Sequence, residues 1–176
     1  FALTQERLYL GAIQGLVYDA DAENTLLLDL HALFGTVAEA EIDMELDDPA
    51  TDVRIKCHAI RRTMERNAKM TLPGQWVIVA LCGDNFFDKI VKHAKVANAY
   101  EKGQTNAERF LSSNMAFGSF EFGGIIWENY RGTDDNSTVA IGTEKAWFVP
   151  VGVPGLFREF YSPADTFEAV NTEGLP

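Results

Sequence analysis

Apolar and polar residues alternate along this chain with two different periods. Residues Ala38 to Leu46 show the shorter one: Ala40, Ile42, Met44 and Leu46 fall on one side, and Glu39, Glu41, Asp43 and Glu45 on the other. A period of two predicts a strand with one wet, acidic face. The longer period follows at once. Val53, Cys57, Ile60 and Met64 recur at i, i+4, i+7 and i+11, which predicts a helix with one apolar stripe. Asp48 offers a carboxylate to the free N–H groups of a first turn, and Pro49 suits the first helical position. Arg61, Arg62, Arg66 and Lys69 gather toward the helix C-terminus, where cations complement the dipole, and Leu72-Pro73-Gly74 ends the element.

The remaining elements follow by the same logic. Leu3, Leu8, Tyr9, Ala12 and Ile13 predict a helix over 4–15 that closes at Gly15. Leu16 to Tyr18 and Thr25 to Leu30 flank a polar turn and predict a hairpin. Trp76 to Cys82 is a short, β-branched apolar run, which predicts a strand buried on both faces. After Gly83, Asp84 or Asn85 is expected to cap a helix through about His93, with Phe86 or Phe87, Ile90 and Ala94 as its stripe. Residues 95–115 are less regular, with a short helix expected near Asn106 to Leu111. Phe117 to Phe122 and Ile125 to Tyr130 flank Gly123-Gly124, whose tolerance of positive φ suits a tight hairpin. Arg131 to Thr138 reads as a polar loop and Ala146 to Val149 as a last strand. Pro150 to Gly155 reads as irregular and Pro163 to Asn171 as a short helix. The fold class expected is α+β.

Composition narrows the partners. The 176 residues carry Lys+Arg 15 against Asp+Glu 26, a net charge of -11. Gripping DNA needs cations that displace counterions, so this chain is not expected to hold it tightly, and the same excess disfavours an anionic membrane surface. No apolar run approaches the ~20 residues of a membrane span. Cys57 and Cys82 do not make a disulfide framework; both read as small buried apolar residues in a reducing compartment.

Candidate chemistry is sparse. Asp19, Asp21 and Glu23 resemble the start of a calcium loop, but the glycine and glutamate positions are Asn24 and Leu30. His31, His58 and His93 form no close pair, and the cysteines lack zinc-site spacing. His58 is expected packed or half-buried beside the stripe, and His93 near a helix C-terminus. Gly118-Ser119 and Gly123-Gly124 lie between strand-like segments, so they serve a hairpin and not a phosphate cradle. Glu39, Glu41, Asp43 and Glu45 read as a solvated row, or as a face for basic groups of another subunit such as Arg61, Arg62, Arg66 and Lys69. No catalytic, cofactor-binding or metal residue is assigned.

Several ordered blocks carry a resemblance. They begin with Leu10-Gly-Ala-Ile-Gln-Gly-Leu-Val-Tyr-Asp-Ala-Asp and His31-Ala-Leu-Phe-Gly, then Ile42 to Leu46 and Thr51-Asp-Val-Arg-Ile-Lys-Cys. Cys82-Gly-Asp-Asn-Phe-Phe-Asp and Val91-Lys-His-Ala-Lys-Val follow. The last blocks are Phe120-Glu-Phe-Gly-Gly-Ile-Ile-Trp-Glu-Asn-Tyr-Arg-Gly, Ala146-Trp-Phe-Val-Pro-Val-Gly-Val-Pro-Gly-Leu-Phe and Tyr161-Ser-Pro-Ala-Asp-Thr-Phe-Glu-Ala-Val-Asn-Thr. Each is weak alone; the ordered set resembles the lambda-type major capsid proteins of tailed phages and prophages, the capsid E family.

The resemblance implies an HK97-type capsid fold and a structural role, not an enzyme. Residues 1–71 would belong to the peripheral domain, 72–150 to an axial-domain-like region, and 151–176 to a return segment. The N-terminal arm, extended loop and most of the spine helix would lie upstream of Phe1, and a further segment beyond Pro176. The partners implied are other copies of the chain, as pentamers and hexamers in a shell around DNA bound without sequence specificity. Scaffold, portal or head-decoration proteins are further implied partners. No membrane and no cofactor are implied. The place implied is the virion, assembled in the bacterial cytoplasm. Two alternatives stand beside it: an encapsulin-like shell, and a small α/β enzyme with a dispersed site. The loop 131–138 could make axial contacts or be plain surface. Phe157, Phe160 and Tyr161 could anchor an interface or fill the core.

Overall fold

The computed structural model describes residues 2–19, 25–68, 76–101, 118–130 and 141–156. Its elements are α1 (Ala2–Gln14), β1 (Leu16–Tyr18), β2 (Leu26–Asp29), α2 (Leu30–Phe34), α3 (Val53–Ala68), β3 (Val77–Cys82), α4 (Asp84–Lys92), α5 (Ala94–Glu101), β4 (Ser119–Phe122), β5 (Ile125–Asn129) and β6 (Ala146–Val151). The fold is α+β, as expected. The expected helices near 106–111 and 163–171, the loop 131–138, and Lys69, Asp21, Glu23, Phe157, Phe160 and Tyr161 lie outside the described residues.

β4, β5, β3 and β6 form one sheet in that order. β4–β5 is the expected antiparallel hairpin, turned by Gly123 (φ 65°) and Gly124 (φ 77°). β5 runs parallel to β3, with Ile125 opposite Ile78 and Trp127 opposite Ala80. β6 pairs antiparallel with β3 and runs on to Val151, past the expected end at Val149. Pro150 sits opposite Ile78 on this outer strand, a position that tolerates a missing N–H.

One face of the sheet carries the core. Ile78, Ala80, Cys82, Phe120, Phe122, Ile125 and Trp127 are buried there with Val53, Cys57 and Ile60 of α3 and Phe86 and Ile90 of α4. Trp127 lies at the centre, stacked with Phe86 (6.1 Å) and Phe120 (6.4 Å) and edge-on to Phe148 (5.6 Å). Its indole N–H donates to the Phe122 carbonyl at 3.1 Å, so the polar end of the ring is satisfied. α3 reaches the hairpin so closely that a Cβ on Gly123 would lie 2.7 Å from the Cys57 sulfur.

The structure corrects several expectations. Residues 36–45 form no strand, because no described strand lies beside them. Asp43 instead accepts from the Glu45 N–H at 2.8 Å and Glu45 takes φ 51°, which turns the chain. Of the alternating apolar side, Met44 is buried and Leu46 half-buried; Ala40 and Ile42 are exposed. Asp48 does not cap α3. It closes a turn, its carboxylate accepting from Ala50 N–H (2.9 Å) and its carbonyl from Thr51 N–H (3.1 Å), while His93 holds the same carbonyl at 3.0 Å. The cap is Asp52, whose carboxylate accepts from Arg54 N–H at 3.1 Å. The helix therefore starts at Val53, with Val53, Cys57 and Ile60 of the expected stripe buried and Met64 half-buried.

Neither Asp84 nor Asn85 caps α4; Gly83 does, without a side chain. The loop 142–145 closes over this end: Gly83 N–H donates to the Lys145 carbonyl and Phe86 N–H to that of Thr143, each at 2.9 Å. A Cβ on Gly83 would meet the Gly142 oxygen at 2.3 Å. His93, not Ala94, completes the buried stripe of α4, because 93 follows 86 and 90 at helical spacing. Ala94 is exposed and begins α5, a helix in the stretch expected to be irregular. β3 is fully buried on one face only; Val79 and Leu81 are half-buried and Val77 exposed.

Candidate subunit interface

Among the described residues, the largest run of exposed apolar side chains is built on the first hairpin. β1 anchors it: Val17 is buried against α1, where a Cβ on Gly11 would lie 2.8 Å from the Val17 side chain. Gly15 ends α1 with φ 84°, as expected, and the ring of His31 lies where its Cβ would stand. Arg7, itself buried, donates to the Asp19 carbonyl and ties the hairpin mouth to α1. Asp29 then caps α2, accepting from Ala32 N–H at 2.9 Å, and Gly35 ends it in the left-handed region.

This scaffold faces a patch outward. Leu26, Leu27, Leu28, Leu33, Phe34 and Val37 are 41% to 91% exposed. Successive strand residues point to opposite faces, so exposure of all three leucines means that both faces of β2 are bare. Among the described residues β2 pairs with β1 alone, leaving its outer edge open. A contiguous apolar surface with an unpaired strand edge is a docking surface or an aggregation hazard. Sequence reasoning placed the hairpin but missed this patch. The signal was the unbroken Leu26-Leu27-Leu28 in a strand too short to be covered on both sides.

Among the described residues, those singled out for chemistry do not converge. His31 is half-buried, with Nδ1 3.3 Å from the Thr36 hydroxyl. His58 is exposed, correcting the expected packing: it sits about 100° around α3 from Cys57, off the stripe. His93 is buried and structural; Lys95 N–H donates to its Nδ1 at 3.3 Å, leaving Nε2–H to donate to Asp48. Cys57 and Cys82 are free, buried thiols, each pushed up to about 12 chiefly by loss of solvent. No group of three or more metal-ligating side chains occurs among the described residues.

The acidic row is engaged within the chain. Glu39 accepts from Asn67 at 3.0 Å, Glu41 pairs with Lys145, and Glu45 pairs with Lys56 at 3.2 Å. Lys89 adds a bond to Glu144 at 2.9 Å and a longer pair with Asp47. These residues strap 36–48 across α3, α4 and the loop before β6. Arg61 lies over the Trp76 ring at 4.6 Å and beside Glu65 at 3.3 Å, while Arg62 and Arg66 are exposed.

One open cleft of about 360 Å³ lies between α1 and the sheet, lined by Gln5, Glu6, Tyr9, Leu10, Ile13, Leu81 and Tyr130. The Tyr130 hydroxyl donates to the Glu6 carboxylate; burial first, then this bond and charge, raise its phenol well above the ordinary range. The pair joins α1 to the end of β5. The cleft is open and mostly apolar, and its Glu6 carboxylate is held by the Tyr130 hydroxyl.

The family model described as phage major capsid protein E matches residues 1–176. The chain belongs to that family. Among its relatives, the major capsid protein of Pseudomonas phage KPP10 is 32% identical over 151 residues, 76% of this chain and 41% of the relative. The major capsid protein of Salmonella phage Felix O1 (isolate Felix O1-VT1) is 30% identical over 145 residues, 75% of this chain and 38% of the relative. The chain thus spans about two fifths of the length of these relatives.

Proposed function

We propose that the protein is a structural shell subunit: copies of it assemble into capsomers and then an icosahedral head around phage DNA. The family match along residues 1–176 carries this reading. The exposed apolar hairpin supports it, since a subunit that works by repeated self-contact must carry such surface until neighbours cover it. The α+β architecture fits an HK97-type subunit. Residues 72–150 would form the axial-domain-like region, 1–71 part of the peripheral domain, and 151–176 the return toward it. The role is structural and not enzymatic. The acidic balance suits a shell that encloses DNA without gripping its sequence. Its partners would be itself and, during head assembly in the bacterial cytoplasm, scaffold, portal or decoration proteins; its final place is the virion.

The test is electron microscopy with light scattering on the full-length gene product, alone and with its genomic neighbours. Regular shells or capsomer rings are expected. A small monomer that persists under both conditions overturns the reading.

A further inference from the structure

The helix α3 carries a second stripe opposite its buried one. Ile55, Ala59, Arg62 and Arg66 follow at i, i+4, i+7 and i+11, two residues out of phase with Val53, Cys57, Ile60 and Met64. Ile55 is 63% exposed, and Arg62 and Arg66 are exposed with no partner among the described residues. Several other cations are already engaged: Lys56, Lys89 and Lys145 in ion pairs, Arg61 with Glu65 and Trp76, Arg54 over the Phe122 ring; Lys92 and Lys95 are exposed at the end of α4 and the start of α5, away from this helix. The two arginines are thus free charge on one outward helix face.

A complementary surface lies on the opposite side of the same body. α3 and α4 cover only one face of the sheet. On the other, α1 reaches the Leu81 and Trp147 end through Leu10. Beyond it Val77 and Val151 are 40% and 50% exposed, beside half-buried Val79, Ile126 and Val149. Strand alternation puts exposed Glu121 and Glu128 on this same face, on the adjacent strands β4 and β5. Glu128 makes no ion pair among the described residues. The spacing matches as well. Arg62 and Arg66 are one helical turn apart, roughly 6 Å between Cβ atoms. Glu121 and Glu128 are diagonal neighbours, roughly 7–8 Å apart and within reach of long side chains.

We propose that the outer face of α3 in one copy docks on the open sheet face of the next. Arg62 and Arg66 meet Glu121 and Glu128, and Ile55 meets the exposed valines. The occupant is a second copy because the two faces complement each other in charge and in apolar content. Nucleic acid would match the arginines alone. The faces lie on opposite sides of one subunit, so the contact is head-to-tail, the kind that propagates round a ring. The proposal rests on the shell-subunit reading and names the surface it uses.

The test uses the full-length protein under conditions in which the wild type assembles, which keeps the two readings apart: a wild type that never assembles defeats the shell reading itself. Arg62→Glu with Arg66→Glu is expected to raise the protein concentration needed for assembly by at least about tenfold. Circular dichroism melting should be unchanged, since both side chains are solvent-exposed. Adding Glu121→Arg and Glu128→Arg should restore assembly. Assembly unaffected by the arginine reversal overturns the proposal. So does failure of the sheet reversal to rescue, or equal rescue by Asp88→Arg on the outer face of α4. Shells that form normally but retain less DNA would assign the arginines to nucleic acid and overturn it too.

Discussion

At the scale of single residues, the two cysteines show how far pattern reaches. Cys57 was placed in the core by its stripe and Cys82 by its apolar run, and both are buried. Burial raises each thiol from 9.0 to about 12, because the low-dielectric core penalises the thiolate. The folded state therefore favours the protonated thiol. Stability is intact below about pH 9, where both states hold the proton. It falls as pH climbs toward about 12, because only the unfolded thiols have then ionised. The limiting slope is about 1.4 kcal/mol per pH unit for each thiol. Native protein at pH 8 should leave both unreacted toward a disulfide-exchange reagent and release both on adding denaturant. Rapid labelling of the native protein would show the burial to be wrong. His58 marks the limit of such reasoning. A neighbour in sequence to a buried residue points elsewhere on a helix, and only the stripe itself is inside.

At the scale of elements, apolar period found α3 and its buried face, but cap chemistry misplaced its start. Both Asp48 and Asp52 satisfy the N-cap preference locally. The choice fell to a distant residue, since His93 fixes the Asp48 carbonyl in a turn. Asp52→Ala should cost about 1 kcal/mol in chemical denaturation, the usual loss of a helix cap. No loss would return the cap to Asp48. The acidic alternation over 38–46 failed for a related reason. A period of two states that a segment could be half-buried when extended; a strand also needs a neighbour with free backbone groups. Here lysines on α3 and before β6 hold the carboxylates, and Met44 anchors the strap in the core.

At the scale of the whole molecule, the apolar residues divide into those that hold the subunit together and those left outside. Leu27 and Phe34 belong to the second group. Replacing both with serine should leave subunit stability within about 0.5 kcal/mol, because exposed sites seldom contribute more. The same change should abolish or sharply weaken shell formation, read by electron microscopy and native mass spectrometry of the full-length protein. Unaltered shells would remove the hairpin from the interface. An apolar leucine in sequence does not declare which group it belongs to. Burial depends on what else folds over it, and assembly surfaces use the same side chains as cores.

The sequence alone determined the α+β class, both hairpins and the stripe of α3, because these follow from period and turn chemistry within a few neighbouring residues. Its acidic charge balance set the expectation of no tight grip on DNA, and its ordered blocks pointed to the capsid E family. Only the tertiary structure decided which aspartate caps α3, that the 142–145 loop closes α4, and that segment 36–48 is a strap and not a strand. The three leucines of β2 were likewise placed outside by the fold. Each of these depends on groups far apart in the chain, such as His93 with Asp48 or Lys145 with Glu41, and local pattern carries no record of such meetings.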